Sequence, residues 1–462
     1  MSEKVNILLP IEILNRELDV RLFLACLCAE DSTRVFVGEV QALRRLSKSL
    51  HGGVYIGQSL LPTLPGLPTK VYSAFKKRGF VTIHLDEEGG VYDGDEERWC
   101  RRLRRRLDPQ LFEAEDYVCT WGDFQRDFYR DQHPPCAEHI ITTGHPRFDL
   151  YKEPYREYYH SEAEELRKEF GSFVLINTSW PAANDSMGVV GEFTRRRDYD
   201  VTDDAKRYDH VSRWTHLTQL LSSFVRMITR ISIDLPELNY IVRPHPSENM
   251  DFYRTIFKGV KNVQVIHKGS TGAWLFACQA LIQNGCTTGL EAHFADTPTI
   301  TYEPILDQRY DLFLPNLFGA RCTTEAEVVS CLQELAKTGK HFPPKAEKVA
   351  LLPEAYAMNA NFDGDALQIL TRLILDLAKA QAADGTHAFH PRFYATAEML
   401  RQNLQKVTDN LKRGAATSKS RPTMFYGLDR VNLDEKLAVI QKILNKKVEY
   451  SLLSNEILYV TS

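Results

Sequence analysis

Short apolar runs rich in β-branched residues alternate with amphipathic helical stretches along the first two thirds of this chain. The first run is Val5–Leu9, and a second series begins at Phe173. Alternation at this spacing predicts βαβ units around a parallel sheet. Because the series starts twice, we expect an α/β protein with two Rossmann-like domains and a ligand crevice at the carboxyl ends of their strands.

The pattern divides the 462 residues into three regions. We predict Rossmann-like domains at 1–160 and 161–380 and a helical C-terminal extension at 381–462. Within the extension, 413–423 (RGAATSKSRPT) has the composition of a linker. The helix of sequence WTHLTQLLSSFVRMITRI follows a polar stretch, 184–209, which predicts a long loop.

Composition excludes several classes of protein. The 57 basic and 61 acidic residues give a net charge of −4, which argues against a dedicated nucleic-acid binder. Nine cysteines without CxxC pairs or Cys/His metal spacing predict reduced thiols. The N-terminus lacks the pattern of a secretion signal, and no apolar run reaches about 18 residues. We therefore expect a cytoplasmic protein whose membrane contact, if any, is peripheral.

A histidine between two prolines follows the apolar strand NYIV, in Arg243-Pro244-His245-Pro246-Ser247. Proline disfavours the α region for the residue before it, so His245 is held extended at the end of the strand. Arginine, histidine and serine together offer charged and neutral donors that suit a phosphate. The alternative is a structural turn between strand and helix.

Two hydroxyl residues lie between glycines in the segment 284–291, NGCTTGLE, which opens a helical stretch. We predict that Thr287, Thr288 and Gly289 contribute to a phosphate site, with Glu291 beside them, because backbone N–H groups at a helix start favour an anion. The alternative is that Thr287 or Thr288 only caps the helix.

Three consecutive carboxylates, Asp86, Glu87 and Glu88, follow the strand FVTIHL and precede two glycines. Mutual repulsion and burial would raise the pKa of at least one of them toward the range of a general base. We expect the glycines to leave room for a substrate. The alternative is an acidic surface turn.

Two further segments contain residue types that are common in functional sites, but each has a simpler structural explanation. Gly144–Asp149 (GHPRFD) lies near the predicted domain junction, and we interpret it as an interdomain hinge in which Arg147 and Asp149 pair. Asp93-Gly94-Asp95 mimics the DxD metal motif of some glycosyltransferases, but it lies in a polar loop. We interpret it as a solvated turn and expect no metal site.

Arginines are concentrated in two clusters, Arg101–Arg106 and Arg195–Arg197. The first has the spacing of a solvated helix face. It could equally attract phospholipid headgroups or a polyanionic acceptor, because clustered basic residues bind anionic surfaces.

The order of the acidic, His-Pro and paired-hydroxyl elements resembles that of bacterial CMP-sugar transferases, the GT-B sialyltransferases and the capsule and O-antigen Kdo transferases. The segments ILLPIEILNRELD, GHPRFD and RPHPSEN also resemble the family of surface carbohydrate biosynthesis proteins. The resemblance covers 5–305. It implies the GT-B architecture, with an N-terminal acceptor domain and a C-terminal nucleotide-sugar domain facing a central crevice.

By this resemblance, Glu88 or its neighbour Glu87 corresponds to the catalytic carboxylate. Because Asp86 adds a third acidic residue, the resemblance leaves open which carboxylate matches which. His245 would contact the CMP phosphate, and Thr287-Thr288 stand where the family has two hydroxyl residues, usually serines. The implied reaction moves a Kdo-like or sialic-like 2-ulosonic acid from a CMP donor to a lipid-linked or polysaccharide acceptor, at the inner membrane and without metal or cofactor.

The stereochemistry and the exact activity stay open. The Kdo transferases favour retention, which requires a nucleophile; Asp185, Asp149 and Asp86 are candidates, whereas an inverting enzyme would use a base such as Glu88. The alternatives to this reaction are a CDP-glycerol-type polyol-phosphate transferase and a catalytically inactive GT-B-like scaffold.

Overall fold

The computed structural model describes residues 4–58, 69–194, 199–339, 349–381, 389–412 and 425–462. The second arginine cluster, Arg195–Arg197, and the predicted linker at 413–423 therefore lie outside the described residues.

Strands and helices alternate along most of the described chain. The strands are β1 (Val5–Ile11), β2 (Thr33–Glu39), β3 (Gly53–Gly57), β4 (Phe80–Leu85), β5 (Tyr117–Thr120), β6 (Ile140–Thr142), β7 (Phe173–Asn177), β8 (Asn239–Arg243), β9 (Val263–Val265), β10 (Ala280–Gln283), β11 (Thr299–Tyr302), β12 (Ala320–Cys322), β13 (Glu449–Ser454) and β14 (Ile457–Thr461). The helices are α1 (Leu14–Cys28), α2 (Val40–Leu46), α3 (Lys70–Lys76), α4 (Glu96–Arg106), α5 (Asp123–Gln132), α6 (Pro146–Asp149), α7 (His160–Phe170), α8 (Val190–Thr194), α9 (Asp204–Asp234), α10 (Met250–Ile256), α11 (Thr271–Ala277), α12 (Thr288–Phe294), α13 (Glu325–Thr338), α14 (Leu352–Met358), α15 (Ala366–Gln381), α16 (Pro391–Lys412) and α17 (Leu433–Leu444).

The first compact unit combines Met1–Gly90 and Cys100–Tyr158 with the C-terminal segment Tyr356–Ser462. Its sheet has the strand order β13-β14-β2-β1-β3-β4-β5-β6, and β1 to β6 are parallel. Every residue of β1 is buried, as expected for a central parallel strand covered on both faces. The order reverses between β1 and β3, which makes the carboxyl ends of these strands a topological switch point.

The second compact unit contains Val91–Trp99 and Tyr159–Ala355. Its six strands are all parallel, in the order β12-β11-β10-β7-β8-β9. Counted from β7, this is the Rossmann order 3-2-1-4-5-6, with the switch point between β7 and β10. Helix α9 packs its buried apolar side chains, such as Phe224 and Ile228, into the core of this unit. The predicted fold class, an α/β protein with two Rossmann-like units, is confirmed; the crevice between domains stays a prediction.

The C-terminal region is largely helical, as predicted, and α16 and α17 are its α-helices among the described residues. The prediction missed a hairpin, however. Strands β13 and β14 pair antiparallel with each other, and β14 pairs antiparallel with β2. The hairpin therefore extends the first sheet at the edge next to β2.

Two boundaries differ from the prediction in the second unit. The predicted loop at 184–209 is wrong in part, because it contains α8 and the start of α9, where Asp203 accepts a hydrogen bond from the N–H of Lys206. The apolar pattern of the run TGAWLFACQALI predicts a single helix, but α11 ends at Ala277 and the last apolar residues of the run form β10. A short apolar run is compatible with both a buried helix and a buried parallel strand, so the pattern could not separate them.

Membrane-crossing helices are absent from the described part of the chain, since none of its helices is both long and apolar enough.

We predict that Gly38→Ala destabilises the first unit. Gly38 lies opposite Ile457, and a Cβ at Gly38 would lie 2.3 Å from the carbonyl oxygen of Glu456, so the hairpin would have to shift. Overpacking of this kind costs about 1–3 kcal/mol in the free energy of unfolding, measurable by urea denaturation. Ser49→Ala, at an exposed position, is the control. Equal stability of the two variants would show that the hairpin is not packed on Gly38.

Candidate functional site

Three loops leave the same edge of the second sheet around its switch point. Strand β7 pairs in parallel with β8 on one side and with β10 on the other, and Asn177 is the register partner of Arg243. Three adjacent strands therefore end at this edge, and they lead into the segments Asn177–Thr178, Arg243–Ser247 and Asn284–Thr288. The structure thus brings the His-Pro and paired-hydroxyl elements to one edge, where open α/β sheets bind ligands.

The loop after β8 is held in place by the buried carboxylate of Glu248. It accepts hydrogen bonds from the N–H of His245, from Thr178 Oγ1 and from the hydroxyl of Tyr253. Burial raises the pKa of Glu248. The partners come from two strand ends and from α10, so this carboxyl fixes the position of the His245 backbone.

The imidazole of His245 presents a hydrogen-bond donor. The N–H of Ser247 donates to His245 Nδ1 at 3.1 Å, so a neutral ring carries its proton on Nε2. The ring is half-buried. An Nε2–H group at the end of a strand is suited to a phosphate oxygen, which only accepts. Ser247 thus acts through its backbone, whereas the sequence suggested its hydroxyl.

Arg243 and His267 accompany His245 at this edge. The buried guanidinium of Arg243 donates to the carbonyl of Gly269 at 2.9 Å and to Thr271 Oγ1. His267 Nδ1 donates to the carbonyl of Pro244 at 2.8 Å. Burial, followed by the charge of Arg243, lowers the pKa of His267 to about 4. No sequence motif marks His267, although it follows the run VQVI directly.

The paired threonines differ in their environments. Thr288 Oγ1 is buried and contacts Asn177 Nδ2 at 3.0 Å and Cys286 Sγ at 2.9 Å. Thr287 is half-buried, its hydroxyl makes no hydrogen bond among the described residues, and it does not cap α12. Thr287 is therefore the available donor of the pair.

Gly289 and Glu291 are both buried. A Cβ at Gly289 would lie 2.6 Å from the carbonyl oxygen of Pro315 and 2.9 Å from the side chain of Gln283. Packing within the unit therefore explains the glycine at position 289. Its predicted contribution to a phosphate site stays a prediction.

Two buried side-chain oxygens at this edge have no hydrogen-bond partner among the described residues. They are Asn177 Oδ1, in the last residue of β7, and Ser270 Oγ, in the residue directly before α11. Buried polar atoms are almost always hydrogen-bonded in folded proteins, so orphans at a strand edge favour a site that a ligand or water completes.

The acidic segment lies in the first unit, after β4. The side chain of Glu87 is 1% exposed and contacts Arg21 Nη2 at 2.8 Å, His145 Nε2 at 3.2 Å and Arg147 Nη1 at 3.3 Å. The side chain of Glu88 is 44% exposed. Of the two carboxylates that the resemblance offered, only that of Glu88 is open to a substrate.

The sequence predicts a raised pKa for at least one of the three consecutive carboxylates, but the pKa values of Glu87 and Glu88 are both lowered. Burial alone would raise the pKa of Glu88, but Arg106 and Arg16 lower it to about 2. Burial also opposes ionisation of Glu87, and the cationic groups around it keep its pKa well below the usual value. The arginines therefore outweigh the repulsion between neighbouring carboxylates.

The two glycines after the acidic segment are explained by a tryptophan. A Cβ at Gly89 or Gly90 would lie 2.9 Å or 2.5 Å from the ring of Trp121. The Trp121 Nε1–H also donates to the carbonyl of Asp86 at 2.7 Å. The expected opening for a substrate at these glycines is therefore wrong, because the indole fills it.

The segment Gly144–Asp149 is buried inside the first unit. The N–H of Arg147 donates to His145 Nδ1 at 3.2 Å, so His145 Nε2–H faces Glu87. Asp149 accepts from Asn361 Nδ2 at 2.8 Å and from the N–H of Leu367 at 2.7 Å, and burial raises its pKa to about 6. Arg147 binds Glu87, so the predicted pair of Arg147 with Asp149 does not explain this segment.

The remaining candidates are distributed over both units. Asp185 is buried in the second unit and forms an isolated β-bridge with Glu248. Asp93 lies 3.7 Å from Arg98 Nη2. In the described ranges, no group of three or more His, Cys, Asp or Glu residues could hold a metal ion. In the first arginine cluster Arg101, Arg104 and Arg105 are exposed.

Comparisons with known proteins found no matching family model and no matching curated protein. Among solved structures, a variant of the wall teichoic acid polymerase TagF treated with CDPG is 11% identical, with a TM-score of 0.49 over 82% of this chain and 89% of that chain. UDP-GlcNAc 2-epimerase from Neisseria meningitidis, bound to UDP-GlcNAc, is 11% identical, with a TM-score of 0.47 over 81% and 100%. Anabaena HepE in complex with UDP and glucose is 11% identical, with a TM-score of 0.41 over 81% and 99%. Likenesses at this level identify neither a family nor a ligand for this chain.

We predict that His84 makes the first unit sensitive to acid. His84 is 3% exposed on β4, its Nδ1 has no hydrogen-bond partner in the described structure, and burial lowers its pKa from 6.5 to about 4. The folded form binds fewer protons than the unfolded form, so stability is complete above pH 6.5 and decreases as pH falls toward 4. We expect His84→Phe to remove roughly 2 kcal/mol of the loss between pH 7.5 and 4.5 in urea denaturation.

The control for this measurement is His51→Asn, at an exposed position of the same unit. A pH dependence that His84→Phe leaves unchanged would assign the acid sensitivity to other groups.

Proposed function

We propose that the chain is a GT-B transferase that moves a Kdo-like or sialic-like 2-ulosonic acid from a CMP donor to a surface polysaccharide or its lipid-linked precursor. The observation that supports a nucleotide donor is the set of groups at the switch point of the second sheet. His245 offers an Nε2–H donor and Arg243 a positive charge. Within the part of the chain that the structure describes, the hydroxyl of Thr287 and the buried oxygens Asn177 Oδ1 and Ser270 Oγ have no hydrogen-bond partner.

These groups suit the departure of a nucleotide phosphate. When the bond between sugar and CMP breaks, negative charge develops on the phosphate oxygens. Donors already fixed in place stabilise that charge without reorganisation. The Ser247–His245 hydrogen bond and the Glu248 carboxylate provide such fixation, because they set the tautomer of His245 and the position of its backbone. No metal ion is needed for this role.

In the first unit, we propose Glu88 as the carboxylate that handles the acceptor hydroxyl, because it is exposed while Glu87 is not. A carboxylate with a pKa of about 2 is a weak base, so its contact with Arg106 must loosen before it can accept a proton. As a nucleophile for a retaining reaction, Asp149 is poorly suited, since it is buried and hydrogen-bonded to Asn361 and Leu367.

We predict selective binding of CMP that depends on His245. Isothermal titration calorimetry would compare CMP with CDP, UMP and UDP on the wild type and on His245→Ala. Loss of one hydrogen bond to a charged phosphate costs about 1.5–3 kcal/mol, so we expect His245→Ala to weaken CMP binding by at least about tenfold. His160→Ala, exposed on α7 of the same unit, should bind as the wild type does.

The other outcomes distinguish the alternatives. A clear preference for CDP would favour the CDP-glycerol-type polyol-phosphate transferase. A folded protein that binds none of the four nucleotides would contradict the transferase proposal and favour the inactive scaffold.

We also predict that Glu88→Gln abolishes transfer without loss of CMP binding. The assay is sugar transfer from CMP-Kdo or CMP-sialic acid, with calorimetry on the same preparation. The amide keeps the size of the side chain and removes its basicity, and Glu88 belongs to a different unit from His245. Full transfer activity in Glu88→Gln would remove Glu88 from the proposal.

A further inference from the structure

Three arginines surround the exposed carboxylate of Glu88 in the first unit. Arg106 Nη2 lies 2.8 Å from Glu88 Oε2, Arg16 Nη1 lies 3.5 Å from Oε1, and Arg102 Nη2 lies 3.9 Å from Oε2. Arg16 lies near the start of α1, whereas Arg102 and Arg106 lie one turn apart on α4. Two helices that are distant in sequence thus direct guanidinium groups at the same carboxylate.

Other carboxylates also contact these arginines or lie beside them. Asp86 binds Arg106 Nη1 at 2.9 Å, and Glu17 binds Arg16 Nη2 at 2.8 Å. Glu87 is engaged by Arg21, His145 and Arg147. Of these carboxylates, that of Glu88 is the most open to solvent, with 44% of its side chain exposed against 14% for Asp86.

Arg16 retains unused hydrogen-bonding capacity at this place. Its Nε is buried and has no hydrogen-bond partner in the described parts of the chain, although both of its terminal nitrogens contact carboxylates. The geometry of an arginine suits a bidentate anion, which two separate carboxylates satisfy incompletely.

We propose that Arg16, Arg102 and Arg106 form a binding site for an anionic group of the acceptor, a carboxylate or a phosphate next to the reacting hydroxyl. In the absence of the acceptor, the carboxylate of Glu88 occupies this site. The identity of the ligand as an acceptor rests on the proposed function, whereas the anion site rests on the geometry of the three arginines.

This exchange accounts for a difficulty in the proposed chemistry. When the anion of the acceptor takes the donors of Arg106, Glu88 loses the contact that makes it a weak base. The freed carboxylate can then accept the proton of the acceptor hydroxyl, which leaves the oxygen with the electron pair for attack. A neutral acceptor would not displace Glu88, so the same contacts select against it.

The test measures binding of small anions to full-length His245→Ala, because this background weakens phosphate binding at the second unit. Inorganic phosphate and glucuronate are the two probes, and glucose is the neutral comparison, all titrated by calorimetry. The phosphate and glucuronate arms distinguish a phosphate-bearing acceptor from one that bears a sugar carboxylate. Each probe is measured with Glu88→Gln, Arg106→Gln, Arg102→Gln and Arg104→Gln added in turn.

We expect Glu88→Gln to strengthen anion binding by about tenfold, because it removes the competing carboxylate. Arg106→Gln should weaken binding by about tenfold, and Arg102→Gln, at the edge of the site, by roughly threefold. Arg104→Gln should change binding less than about twofold. Arg104 is exposed on the same helix and stacks on Phe128, so it controls for general attraction to α4.

Three results would overturn the proposal. These are unchanged or weaker anion binding in Glu88→Gln, equal losses in Arg104→Gln and Arg106→Gln, and binding of glucose as tight as that of glucuronate. Arg102→Gln keeps the test decisive if Arg106→Gln fails to fold. A failure of the proposed function would appear in a separate measurement, in which the protein with wild-type His245 does not bind CMP.

Discussion

The buried carboxylate of Glu87 is the contact on which the first unit depends most. It joins Arg21 of α1 to His145, directly before α6, and to Arg147 within α6, so one side chain ties the end of β4 to two helices. Moving an ion into a protein interior is costly unless partners satisfy it, and removal of one partner is strongly destabilising. The same network positions the loop that carries Glu88, since Glu88 directly follows the fixed residue.

Both units use the same local device at a His-Pro sequence. In each case the N–H two residues after the histidine donates to its Nδ1, which leaves Nε2–H as a donor. The surroundings decide what that donor does. His145 is buried and faces Glu87, whereas His245 is half-buried at the switch point of the second sheet. The same motif therefore supports the interior of one unit, and in the other it supplies a candidate hydrogen-bond donor to a phosphate.

The charges around Glu88 show why a run of carboxylates cannot be judged from the run alone. Repulsion among Asp86, Glu87 and Glu88 would raise a pKa, but Arg106 and Arg16 reverse the shift at Glu88. Arg106 comes from the arginine-rich helix, so the two charged segments that the sequence presented as separate features neutralise each other. Under the proposed function, Glu88 stays a weak base until an anion competes for Arg106.

The sequence by itself determined the elements with strong periodicity and the loops that follow them. It predicts a strand before the acidic segment, a strand before His245 and a helix that contains the first arginine cluster. These predictions succeed because strand and helix periods and the restriction before proline are local properties. Tertiary structure decided the rest. Residues far away in the chain determine the pairing of the hairpin with β2, the boundary between α11 and β10, and the pKa of Glu88. No local pattern specifies which distant group packs against a given side chain.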